Sequence, residues 1–141
     1  MQKYFLFKKQ LFFILTSIIF SVYLLGFDYI NPTNIEWLSS GDLTQYQLGW
    51  KFFRADDWRF PLGENPNFGM HYNTSIIFSD SIPLFAIFFK FIKFLLPENF
   101  QYFSIWILLC IYLQLYFSFK IIHKITNNLN YALVGSLFFC I

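Results

Sequence analysis

Two long runs of apolar residues divide the chain. Residues 11–27 read LFFILTSIIFSVYLLGF and residues 102–119 read YFSIWILLCIYLQLYFSF, and neither run contains a charged side chain. A helix that crosses a bilayer needs roughly 20 predominantly apolar residues. We therefore predict transmembrane helices at 11–27 and 102–119, and the start of a third at 131–141. Because that last run has only eleven residues, we expect the sequence to be the N-terminal part of a larger multi-pass protein.

The positions of the charged residues predict how these helices are oriented. Lysines precede the first run within residues 1–10, and two lysines and a histidine follow the second run within residues 120–130. Positive residues favour the cytoplasmic side, so both segments are predicted to be cytoplasmic. Residues 28–101 then form an extracytoplasmic loop, which holds all eight acidic residues. A signal peptide is the alternative for the first run, but its length and the poor cleavage site after it favour an uncleaved helix.

The apolar segment IPLFAIFFKFIKFLLP lies inside that loop. Pro83 and Pro97 bound a core of 13 residues, about 20 Å of helix against a hydrocarbon layer of about 30 Å. We predict an amphipathic helix at 82–96 that lies in the membrane interface, with Lys90 and Lys93 reaching out of the apolar layer. A short transmembrane span is the alternative.

A second interfacial helix is predicted near 42–56. Leu43, Tyr46, Trp50 and Phe53 are spaced three, four and three residues apart, which is the pattern of a helical apolar stripe. Tyrosine and tryptophan also favour the boundary between lipid and water.

Composition agrees with a membrane protein. The chain is 57% hydrophobic and only 13% charged, whereas a soluble domain is about one quarter charged. The predicted fold class is therefore all-α: a polytopic helical membrane protein whose extracytoplasmic loop carries interfacial amphipathic helices.

Two aspartates of the loop are candidate catalytic residues. Asp42 is predicted to begin the first interfacial helix and Asp80 the second, with both carboxylates near the outer membrane surface. A carboxylate held there can take a proton from an attacking hydroxyl group as a general base. The alternative for each is a helix cap, because aspartate accepts hydrogen bonds from the free N–H groups at a helix start.

Three basic residues, Arg54, Arg59 and His71, are candidates for binding a phosphate or another part of a substrate. The alternative for the two arginines is exposed ion pairing with Asp56 and Asp57. His71 has no second ligand at metal-site spacing, so no metal site and no cofactor are predicted; a divalent metal is possible but not indicated. The sequence has no nucleic-acid signature.

The loop resembles the first outer loop of GT-C glycosyltransferases, which are polytopic enzymes that move a sugar from a polyprenyl-phosphate carrier to an acceptor on the outer face. The matching residues are Gly41-Asp42, the Trp-x-x-Pro element at 58–61, and Pro83-Leu84. Residues 31–141 are still more similar to a family of uncharacterised bacterial multi-pass proteins that share "GD…GW.FFR…W.FPLG" and "SDSIPL". The chain differs from better-known GT-C enzymes in having a lone acid at Asp42 and an isoleucine before Pro83.

The resemblance implies a glycosyltransferase of the bacterial inner (plasma) membrane, with membrane lipids and a polyprenyl-phosphate sugar donor as partners. It implies that Asp42 is the general base, that Asp80 assists, and that the basic candidates contact the donor phosphate. Because the sugar pocket would need later outer loops, the 141 residues alone are predicted to be inactive. The alternatives are a transporter or flippase-like protein and a non-catalytic assembly protein of a cell-envelope polysaccharide pathway.

Overall fold

The protein is mostly helical. A computed structural model describes residues 2–69 and 73–140, with side chains from residue 10 onward. The helices are α1 (Gln2–Leu25), α2 (Asp42–Ala55), α3 (Pro83–Phe91), α4 (Phe103–Thr126) and α5 (Leu129–Leu137). Two short strands, β1 (Glu64–Asn65) and β2 (Thr74–Ser75), pair antiparallel with Glu64 opposite Ser75. The prediction of an all-α fold is therefore correct for the main elements and wrong for this small sheet.

The chain divides into two units. The first consists of Met1–Ile30 and Phe103–Ile141, and the second of Asn31–Tyr102. The two ends of the second unit are joined to each other, since the Gln101 backbone N–H donates to the Pro32 carbonyl at 2.7 Å. The Gln101 side chain also donates to the Asn31 carbonyl at 3.2 Å. The second unit therefore closes on itself.

The first unit is built from α1, α4 and α5. Its buried core combines Phe13 of α1 with Leu115 and Phe119 of α4 and Ala132 of α5. The side chain of Asn128 caps α5 by accepting from the backbone N–H groups of Asn130 and Tyr131. α4 continues through Thr126, seven residues beyond the end that the sequence predicted for this helix.

One helix of the described residues, α4, is long and apolar enough to cross a membrane. The apolar part of α1, Gln10–Leu25, is shorter. At about 1.5 Å per residue the 24 residues of α4 extend about 36 Å, which exceeds a hydrocarbon layer of about 30 Å.

The second unit is organised around α2. Trp50 and Phe53, on the apolar stripe predicted from the sequence, are both buried. The Trp50 indole N–H donates to the Phe100 carbonyl at 2.8 Å, and its ring meets the Tyr102 ring edge to face at 5.0 Å. The predicted stripe thus packs inside this unit at these two positions rather than against lipid.

A glycine allows the closest approach to α2. A Cβ atom at Gly49 would overlap the side chains of Ser79 and Ser81, which belong to the segment before α3. Glycine in a helix interior is less favourable than alanine by about 1 kcal/mol, so its presence here is explained by this packing.

Candidate functional site

Asp42 is the first residue of α2, and its carboxylate is exposed. The N-cap is Gly41, at φ 58°, and no side chain forms a cap hydrogen bond. Within the described residues, no hydrogen bond or ion pair engages the Asp42 carboxylate. The alternative interpretation of Asp42 as a side-chain cap is therefore wrong, because it lies one position too far into the helix.

The sequence predicted that Asp80 begins the second interfacial helix, but α3 begins three residues later, at Pro83. Asp80 follows a 3₁₀ turn at Ile76–Ser79 and adopts the left-handed conformation with φ 50°. The N-cap of α3 is Ile82, also at φ 50°, and Pro83 opens the helix. Asparagine and aspartate tolerate this conformation better than most residues, whereas a β-branched isoleucine there is strained. The Asp80 carboxylate is exposed.

Two buried serines hold the backbone on either side of Asp80. Ser79 Oγ lies 2.9 Å from Ser81 Oγ and also donates to the Ile76 carbonyl. Ser81 Oγ donates to the Tyr46 carbonyl of α2 at 2.6 Å. Strained backbone persists where surrounding contacts over-determine it, and these hydrogen bonds supply such contacts.

Hydrogen bonds join α2 to residues 76–81, the segment that leads to Asp80. Gln45 Nε2 donates to the Phe78 carbonyl at 3.2 Å. Gln45 is three residues after Asp42 and therefore lies on the same face of α2. This hydrogen bond joins α2 three residues after Asp42 to the backbone two residues before Asp80, and both carboxylates are open to solvent.

Arg54 binds backbone carbonyls of its own unit. Its Nη1 donates to the carbonyls of Pro97 and Glu98 at 2.7 and 3.0 Å. Its Nη2 donates to those of Lys93 and Leu96 at 3.3 and 2.8 Å. These four bonds use all four hydrogens of the two terminal nitrogens and leave only Nε–H. Arg54 is therefore removed from the phosphate-binding candidates.

Arg54 holds the segment that follows α3. The sequence predicted a helix to residue 96, but α3 ends at Phe91 and a 3₁₀ turn, Lys93–Leu95, follows. The residues that Arg54 binds lie in this turn and the loop after it, outside any α-helix. Arg54 takes four carbonyls of this region, and burial lowers its pKa while the nearby Glu98 carboxylate raises it.

Asp56 and Asp57 do not form the ion pairs expected with the arginines. Asp56 is buried, its Oδ1 accepts from the Asn67 side chain, and its Oδ2 has no hydrogen-bond partner among the described residues. Asp57 is exposed and uses its backbone carbonyl to accept from Lys90. The ion-pair prediction failed because Arg54 finds carbonyl partners about 40 residues further along the chain.

Lys90 is buried, so the prediction that it reaches out of the apolar layer is wrong. Its side chain is 1% exposed, and Nζ lies 4.0 Å from the Phe53 ring centroid and 4.8 Å from that of Trp58. It donates one hydrogen bond, to the Asp57 carbonyl at 3.2 Å. A desolvated cation–π contact contributes about 2 kcal/mol, so the rings offset part of the cost of burying the charge.

The surroundings of Lys90 also shift its pKa. Burial lowers its pKa, and the charges of Lys93 and Arg59 lower it further, while Asp56 and Asp57 act in the opposite direction. Lys93 is also turned inward, since its Nζ donates to the Arg54 carbonyl at 3.1 Å. Both lysines of the segment therefore fasten α3 and its following turn to the end of α2.

The remaining basic candidates are Arg59 and His71. Arg59 is exposed, and no hydrogen bond within the described residues engages it. His71 lies outside the described residues. Among the residues that the structure does describe, no group of three histidine, cysteine or acidic side chains is arranged to hold a metal ion.

Sequence reasoning missed Gly49 and the burial of Lys90. A glycine inside the helical pattern LGWKFFR is itself a signal of close packing. For Lys90, no local signal existed, because its partners Phe53 and Trp58 are more than 30 residues away in the chain.

Comparisons with known proteins connect the chain to one family. Neither a search of the curated proteins nor a search of the solved structures finds a match. A family model described as a domain of unknown function, DUF6311, matches residues 14–141, which is most of the chain and includes the whole second unit. The chain therefore belongs to the DUF6311 family.

Proposed function

We propose that the protein is an integral membrane glycosyltransferase of the GT-C type, which transfers a sugar from a lipid-phosphate carrier to an acceptor on the outer face. The observation that carries the proposal is the Asp42 carboxylate, which is exposed and unengaged at the first residue of α2. A general base needs a free lone pair within reach of the acceptor hydroxyl. The Asp42 carboxylate has free lone pairs, and its exposure to solvent leaves it accessible to an acceptor hydroxyl.

The setting of Asp42 supports this role. α2 is tied to the rest of its unit by Trp50, Arg54 and Ser81, each through a hydrogen bond to a residue at least 35 positions away. A catalytic group on a well-anchored helix keeps its geometry during the reaction.

Asp80 and Arg59 complete the proposed site. Asp80 is assigned to orienting the acceptor or assisting Asp42, because it is exposed on a segment joined to α2 near Asp42. Of the three basic candidates, Arg59 is the described one whose side chain is exposed and available to the donor phosphate, since Arg54 is bonded to carbonyls. His71 stays a candidate on sequence grounds alone.

The proposed reaction is a displacement at the anomeric carbon of the donor sugar. Asp42 accepts the proton of the acceptor hydroxyl as its oxygen forms the new bond to that carbon. The bond between the anomeric carbon and the phosphate oxygen breaks, and the lipid phosphate leaves with the electron pair. A positively charged Arg59 near the leaving phosphate would stabilise its developing charge.

A location in the plasma membrane is part of the proposal. Only 17% of the most apolar stretch of α4 is buried within the protein, whereas a core helix of a soluble protein is mostly buried. A transporter would place charged groups within its membrane helices. Between Phe103 and Phe119, α4 has no charged residue, and its Gln114 side chain donates to the Phe139 carbonyl.

The test uses the full-length protein in membrane vesicles and a panel of polyprenyl-phosphate hexoses as donors. Loss of a general base typically slows a reaction by about 10² to 10⁴-fold, so Asp42→Asn should lose transfer to that extent while its thermal unfolding is unchanged. Asp57→Asn is the matched control, because its carboxylate is also exposed on the same unit, and it should keep wild-type transfer. Full activity in Asp42→Asn refutes the catalytic role. A wild-type protein inactive with every donor favours the non-catalytic assembly alternative.

A further inference from the structure

One side of α3 exposes large apolar side chains. Leu84, Phe88 and Phe91 are 76%, 60% and 74% exposed, and Leu95 in the following turn is 71% exposed. At about 100° per residue, the three α3 residues fall within about 60° of one another around the helix axis. They form one continuous stripe along α3. These three residues and Leu95 are called the α3 stripe.

The opposite side of α3 holds its only charge. Ala86 and Lys90 are 0% and 1% exposed, and both lie on the side away from the α3 stripe. Lys90 points into the aromatic pair Phe53 and Trp58, and Lys93 is bonded to the Arg54 carbonyl. A helix in water normally exposes its lysines and buries its phenylalanines. In α3 this arrangement is reversed.

The chemistry of the α3 stripe selects the partner. Leucine and phenylalanine side chains carry no hydrogen-bonding atoms, so the stripe offers neither donors nor acceptors. Protein interfaces form about one hydrogen bond per 100–200 Å², which side chains without polar atoms cannot supply. Acyl chains require no hydrogen bonds and repel charge. The chain then continues after Tyr102 directly into α4, the helix with the length and apolarity to cross a membrane.

We propose that the α3 stripe is a lipid-docking surface that inserts into the acyl-chain layer of the bilayer, with both lysines of the segment turned into the protein. The sequence instead predicted that Lys90 and Lys93 reach out of the apolar layer of the membrane. The inference rests on the membrane location proposed above but not on transferase activity.

The test measures the surroundings of single nitroxide labels on the chain in phosphatidylcholine nanodiscs. Cys110 and Cys140 are first replaced by alanine, and labels are then placed at Phe88→Cys, at Phe117→Cys on α4, and at Lys51→Cys on α2. Phe117 and Lys51 are both exposed and serve as the lipid and water references. Collision rates with oxygen, which concentrates in lipid, are compared with those of a water-soluble nickel complex.

The label at Phe88 should show an oxygen-to-nickel ratio several-fold above that at Lys51 and close to that at Phe117. A ratio equal to that at Lys51 overturns the proposal, because the stripe would then face water. Low collision rates with both reagents also overturn it, because protein would then cover the stripe. If Phe117 itself reads as aqueous, the membrane location has failed. Leu84→Cys gives an independent reading should Phe88→Cys not fold.

Discussion

Replacing Arg54 with lysine distinguishes a structural role of Arg54 from a ligand-binding role. Lysine keeps the positive charge but replaces the planar fork by a single nitrogen with three donors. That nitrogen cannot occupy the positions of both Nη1 and Nη2, so at least two of the four carbonyl bonds are lost. At about 1 kcal/mol net for each bond, the residues after α3 should be destabilised by about 2 kcal/mol.

Hydrogen exchange followed by mass spectrometry reports this loss locally. The backbone N–H groups of Leu95, Phe100 and Gln101 are hydrogen-bonded in this region and serve as reporters. A loss of about 2 kcal/mol corresponds to roughly thirtyfold faster exchange if these groups exchange by local opening. The α4 and α5 helices of the first unit should keep their wild-type rates.

Arg59→Lys is the matched control, since Arg59 is exposed and makes no hydrogen bond within the described residues. It should leave the exchange of residues 93–101 unchanged. Wild-type exchange in Arg54→Lys would refute the reasoning. If the donor affinity of Arg54→Lys were lost while its exchange stayed normal, Arg54 would act on a ligand.

Two further substitutions test the packing of α2. Gly49→Ala should lower the free energy of unfolding by up to about 2 kcal/mol, because overlap with Ser79 and Ser81 costs about 1–3 kcal/mol and improved helix propensity returns about 1. Thermal unfolding in detergent should show no such loss for Lys51→Ala, and a midpoint for Gly49→Ala above that of wild type, as helix propensity alone predicts, would contradict the close contact. Lys90→Met tests the buried amine. Folding lowers the pKa of Lys90 below its ordinary value of 10.5, so between the pKa of the folded state and 10.5 the unfolded chain binds more protons than the folded chain. The stability of the wild-type protein should therefore rise with pH across that interval. The variant should lack this rise and Lys51→Met should retain it, so identical pH profiles for wild type and Lys90→Met would exclude a shifted pKa.

Local sequence patterns determined most of the helical elements. The spacing of Trp50 and Phe53 follows helical periodicity, and the structure has a helix at Asp42–Ala55. The uncharged run before the lysines at the end of α4 likewise coincides with the helix Phe103–Thr126. Periodicity depends on neighbours three and four residues apart, so it is visible in the sequence.

Local sequence patterns did not predict where α3 ends or which conformation Asp80 adopts. The sequence around Asp80 has the residues of a helix start, and residues 82–96 are apolar except for Lys90 and Lys93. The structure instead places Asp80 in a left-handed turn held by Ser79 and Ser81, and it ends α3 at Phe91. Both outcomes depend on α2, which supplies the Tyr46 carbonyl to one segment and the Arg54 guanidinium to the other.

The roles of the charged residues were decided by the tertiary structure. From the sequence, Arg54 was a candidate phosphate ligand, Lys90 a surface charge and Asp56 part of an exposed ion pair. In the folded chain Arg54 binds four carbonyls, Lys90 lies between two aromatic rings, and Asp56 is buried. Local composition determines that a segment is helical and apolar. The partner of a charged group depends on residues 30–40 positions away, because a buried charge or an open carbonyl is satisfied by whichever group the fold brings within hydrogen-bonding distance.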